Sequence, residues 1–74
     1  MKKYVVRVND QFVEDYGLDG QVWTTVVDTL ELTGDVDKAF IFYEGSELLD
    51  VELWRLYFRE DVEVAILEVR TVIV

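Results

Sequence analysis

Three acidic units recur along the chain: D-V-D at 35–37, D-V-E at 50–52 and D-V-E at 61–63, the last preceded by Glu60. On an extended backbone, side chains on one face repeat about every 6.6–6.8 Å, twice the rise per residue. That spacing is on the scale of phosphates along a nucleic-acid strand, which carries one charge per ~3.4 Å of axis. Asp35, Asp37, Asp50, Glu52, Glu60, Asp61 and Glu63 are therefore candidates for a carboxylate ladder, with each intervening Val turned into the body. The same acid–apolar–acid pattern also suits a half-buried strand edge, where charge discourages pairing with another chain.

Other chemistry finds little support. The chain has no cysteine and no histidine, which removes thiolate metal sites, disulfides and any Cys or His nucleophile–base pair. Ser46 is the only serine and has no histidine to activate it. D-Y-G-L-D-G at 15–20 resembles a fragment of a calcium loop, but its third position is Gly17 and its twelfth is Val26, where a bidentate Glu is required. No Gly-rich phosphate loop or G-x-S-x-G turn occurs. A chain of 74 residues also has little volume for a pocket of about 300 Å³ beside its core. A non-enzymatic protein without cofactor or metal is expected.

A second group combines aromatics with arginine. Trp54, Tyr57 and Phe58 lie beside Arg55 and Arg59, and Trp, Tyr and Arg are the residue types enriched at interface hot spots. Trp54 and Tyr57 join the candidate partner-binding set. Trp23, Phe40 and Phe42 read instead as core.

Charge points to the partner. Sixteen acids against seven bases give a formal net charge of −9. Such a field repels nucleic acid and anionic lipid and attracts basic protein surfaces. The composition is otherwise that of a folded domain: 51% of residues are hydrophobic and ten are aromatic (four Phe, four Tyr, two Trp). The basic N-terminal stretch is interrupted at Arg7 and Asn9, too early for a signal peptide. No apolar run reaches the ~20 residues needed to cross a bilayer. A soluble, cytoplasmic protein is expected.

The elements that must position these residues form one α+β domain over 1–74. Residues 3–8 alternate as a strand. Phe12, Val13 and Tyr16 predict a short helix over 11–16, ended by Gly17, with a turn at 18–21. Residues 22–32 fit a helical stripe, but their Val, Thr and Trp content favours a strand. A loop at 33–37 leads to a strand at 38–43. Ser46 as N-cap, with Leu-, Glu- and Arg-rich sequence after it, predicts a helix over 46–59 with Glu52, Arg55 and Arg59 on one polar stripe. Residues 62–74 form the longest strand candidate: Ala65, Leu67, Val69 and Ile73 on one face, and Val62, Val64, Ile66, Val72 and Val74 on the other. Together these give a small antiparallel sheet of about four strands with one or two short helices packed on one face. Because the last strand is apolar on both sides, Ile66, Val72 and Val74 are candidates for a homodimer interface.

The expected function is an acidic protein-binding module that engages a basic, nucleic-acid-binding protein surface as a DNA or RNA mimic, an inhibitor of a kind that would suit a virus or mobile element. The alternative is a structural or assembly subunit built into a homo-oligomer by its C-terminal strand. Either way the chain itself should not bind nucleic acid. A gel shift with this protein alone at 0.15 M salt is expected to show no complex at micromolar DNA.

Overall fold

The computed structural model describes residues 1–21, 24–58 and 60–70, with the backbone alone for 21 and 24. Five antiparallel strands make one sheet: β1 (Lys3–Val8), β2 (Gln11–Gln21), β3 (Thr24–Thr33), β4 (Phe42–Tyr43) and β5 (Val64–Val69). One short helix, α1 (Val51–Arg55), and a 3₁₀ turn at Val36–Lys38 complete the described elements.

β1 is the centre. Its whole length pairs with β5 along one side, from Lys3↔Val69 to Val8↔Val64. Its other side is divided between β4, opposite Lys3 and Tyr4, and β2, opposite Arg7 and Val8. This division explains why β4 is only two residues long where the sequence predicts a strand over 38–43. Asp35 caps the 3₁₀ turn through the Asp37 N–H, and Ala39 leaves it extended. Phe40 then donates its N–H to the Val13 carbonyl at 2.8 Å, just past the last β1–β2 pair.

The sequence expectation of a helix at 11–16 and a turn at 18–21 is overturned. Residues 11–21 form one continuous strand paired with β3. The register shifts between Val13 and Asp15, where Glu14 is the extra residue, and again between Gly17 and Leu18, where Asp28 is extra on β3. A β-bulge of this kind moves the inward phase by one residue. Val13 and Tyr16 therefore both face the core at a spacing of three, and so do Val27 and Leu30. The i, i+3 recurrence that resembles a helix is a strand with a bulge. The reading of the next segment as a strand holds from Thr24 to Thr33, while its Val22 and Trp23 lie outside the described residues.

The predicted helix over 46–59 contracts to Val51–Arg55. The Ser46 hydroxyl accepts the Leu48 N–H but opens only a turn, and Asp50 is the cap that starts α1, accepting the Glu52 N–H at 3.0 Å. A helix continuous from residue 46 would direct that Glu52 N–H to the Leu48 carbonyl. The carbonyl is instead taken by the Trp54 indole at 2.8 Å. Before it, Gly45 with φ 89° completes a turn closed by the bond from the Ser46 N–H to the Tyr43 carbonyl, a conformation that favours glycine.

One face of the sheet supplies Val6, Val8, Val13, Val27 and Phe42 to the core, and Trp54 enters from α1 with 0% exposure. Tyr16 and Phe42 meet the indole edge-on, with ring centroids 5.4 and 5.6 Å away. Phe40, expected in the core, is 39% exposed, although it packs edge-on against Tyr16. Trp54→Ala is expected to destabilise the fold by about 3–5 kcal/mol, read as a lower urea midpoint.

Candidate functional site

Trp54 is not a partner-binding residue, because it is wholly buried with its one donor satisfied. Tyr57, three positions on, is exposed at the surface. The last bonds after α1 tighten to i+3 spacing, from Tyr57 to Trp54 and from Phe58 to Arg55. Residues 54, 57 and 58 nevertheless end in different surroundings: buried, exposed and half-buried against the core.

The three acidic units do not form a ladder, since none lies in a strand. Asp35 and Asp37 sit on the 3₁₀ turn, where Val36 is 51% exposed and faces away from the body. Asp50 is the cap of α1, and Glu52 pairs with Arg55 at 3.0 Å on the helix surface. Glu63 is fastened to the sheet: Arg7 binds its carboxylate at 2.8 Å, its N–H donates to the Asn9 side chain, and its carbonyl accepts from the Asn9 N–H. Asn9 can serve in this way because it holds the turn between β1 and β2 at φ 52°. Val62 and Val64 do pack inward, as alternation around Glu63 predicts.

What the fold does bring together is Glu52, Glu60 and Asp61. They line a groove of about 290 Å³ with Arg55, Leu56, Phe58 and Val62. Leu56 stands in it 74% exposed. On the other side of the segment that follows α1, Tyr57 borders a second hollow of about 260 Å³ with Asp15, Tyr16, Asp28, Thr29, Leu30 and Glu31. Asp15, Asp28 and Glu31 escaped sequence reasoning. The only available signal was the bulged phase of β2 and β3, which in a sequence reads as helix.

The register of this second hollow is unusual. Asp15 and Glu31 are direct partners across β2 and β3, and like charges directly opposite destabilise a sheet. Among the described residues the ion pairs are Arg7–Glu63 and Arg55–Glu52, so none relieves this pair. Gly17, opposite Thr29, belongs to the same stretch: a Cβ there would collide with the Thr29 hydroxyl. No described group of acids is arranged to hold a metal ion, and no described helix is long and apolar enough to cross a membrane. Ile66, expected at an interface, packs its side chain on the core. Val72 and Val74 lie outside the described residues.

Comparisons with protein-family models, with curated proteins and with solved structures find no match for this chain.

Burial raises the Tyr16 phenol above its ordinary pKa of 10.0, and the neighbouring Asp15 carboxylate adds to the rise. The unfolded chain therefore ionises this phenol first as pH climbs, so its contribution to stability is complete below pH 10 and is lost above it. Tyr16→Phe is expected to lessen the fall in melting temperature between pH 9 and pH 11.

Proposed function

We propose that this protein is a non-enzymatic acidic binding module that engages a basic protein surface, of the kind that otherwise holds nucleic acid. The observation that carries the reading is the Asp15–Glu31 pair, opposed in register beside Asp28 and Tyr57. Asp15 accepts the Tyr16 N–H at 2.9 Å, yet no cation among the described residues offsets its repulsion by Glu31. A cationic partner supplies one, since a Lys or Arg approaching the pair converts repulsion into attraction. Tyr57 and Leu56 then offer the apolar contact between two acidic flanks, Asp15, Asp28 and Glu31 on one side and Glu52, Glu60 and Asp61 on the other. The net charge of −9 steers the encounter. Mimicry here rests on charge and surface, and no longer on strand-spaced D-x-D units.

A pull-down from lysate at low and at high salt, followed by binding kinetics on the recovered protein, tests the proposal. A basic partner is expected at low salt and lost at high salt, because screening shortens to roughly 8 Å at 0.15 M and further above it. Glu60→Lys with Asp61→Lys should slow association more than it speeds dissociation, whereas Leu56→Ala should mainly speed dissociation. Binding indifferent to salt would overturn the proposal.

A further inference from the structure

We infer that two copies of this chain pack face to face through the side of the sheet opposite Trp54, with their strands antiparallel across a two-fold axis. Side chains alternate along β1: Val6 and Val8 belong to the core cluster, so Lys3, Val5 and Arg7 lie on the other face. Cross-strand partners share a face, which adds Val69, Leu67 and Ala65 from β5, Phe12 from β2 and Tyr43 from β4. None of these apolar residues belongs to the core cluster or packs against it. Val5 at the centre is buried, Phe12, Ala65, Leu67 and Val69 are half-buried, and Tyr43 is 51% exposed. α1 lies on the opposite face, and the described elements include no second α-helix to cover this one. A contiguous apolar patch of this kind marks an interaction surface.

Charge selects a second copy as the cover, because the two ends of the face differ in sign. Beside Lys3, one hollow is bordered by three bases, Lys2, Lys3 and Arg70, against two acids, Glu44 and Glu68. At the Val8 end, another is bordered by two acids, Asp10 and Glu63, against one base, Arg7. A partner of either single sign would meet its like at one of these ends. A second copy turned end for end does not, since the Lys3 end of each lies over the Glu63 end of the other.

A two-fold axis running across the strands at Val5 and Leu67 gives this arrangement, with the sheets about 10 Å apart. It stacks those two residues on their own counterparts and sets Val69 over Ala65, large on small. Tyr43, which pairs with Lys3, comes over Phe12, which pairs with Arg7, and two aromatics meet. An axis along the strands would join ends of like sign. The homodimer expected from the sequence thus moves to the face opposite Ile66, carried by the alternate residues of β5. The face spans roughly 20 Å of strand and three strands about 4.8 Å apart. That is below the ~800 Å² per partner of a standard interface, so the dissociation constant is on the order of 100 μM. None of its residues lines the acidic grooves, and the inference stands apart from the proposed function.

Sedimentation equilibrium up to about 1 mM protein at ~0.15 M salt is the test, with circular dichroism to confirm folding and methyl chemical shifts to locate the contact. The wild-type protein is expected to dimerise, and the methyl signals of Val5, Ala65 and Leu67 should move with concentration while those of Val13 stay. Lys3→Glu and Asp10→Lys each make the meeting ends alike and should weaken the dimer roughly fivefold. The combined variant exchanges both signs, keeps the wild-type net charge and should restore it. Leu67→Glu, which sets two carboxylates against each other on the axis, should abolish it. A wild-type protein still monomeric at the highest concentration, shifts confined to other residues, or a combined variant no tighter than the single ones would overturn the inference.

Discussion

The burial of Trp54 is the constraint on which the rest depends. A helix of five residues is far below the length that holds in water by itself. α1 exists because its tryptophan fills the concave face of the sheet and hands its indole proton to the Leu48 carbonyl. The helix thereby touches both β3 and β5, the strands on opposite sides of the sheet. The sheet must curve to allow this, and the two bulges in the β2–β3 ribbon supply bend and twist where it has to wrap.

The same anchoring makes the candidate surface. Trp54 is held inward, while Tyr57 in the turn after α1 stays exposed. Tyr57 borders a hollow with Asp15, Asp28 and Glu31, and Leu56 a groove with Glu52, Glu60 and Asp61. The acids of this protein accordingly divide by task. Asp35 and Asp50 satisfy the free N–H groups of a turn and a helix start, and Glu63 ties β5 to the hairpin turn at Asn9. Asp15 accepts the Tyr16 N–H at 2.9 Å, but it stands directly opposite Glu31, and the two carboxylates repel each other. Local capping accounts for acids of the first kind; the register of β2 and β3 places the second.

Much of the architecture was legible in the amino-acid sequence because it rests on local rules. Alternation of Val marked β1, β-branched content marked β3, and the apolar run after Glu63 marked β5. Absence of histidine and cysteine and the excess of acid bounded the chemistry with no structure at all. Ser46 read as the cap of α1, but Asp50 starts it, because the Trp54 indole takes the Leu48 carbonyl six residues away.

What the tertiary structure alone decided was phase and adjacency. A bulge adds one residue to a strand, and an inward spacing of three then reads as a helix to any analysis of period, so Val13 and Tyr16 were misassigned. The length of α1 was settled by a carbonyl claimed from six residues away, and that of β4 by β2 taking the other half of an edge. The three D-V-x units look alike in one dimension, but they landed on a 3₁₀ turn, a helix cap and the approach to a strand. Residue type and period are properties of the chain, and they determined composition, charge and most strands. Which carboxylates face one another depends on strand register, and register is set by the packing around Trp54 and by hydrogen bonds between residues far apart in sequence.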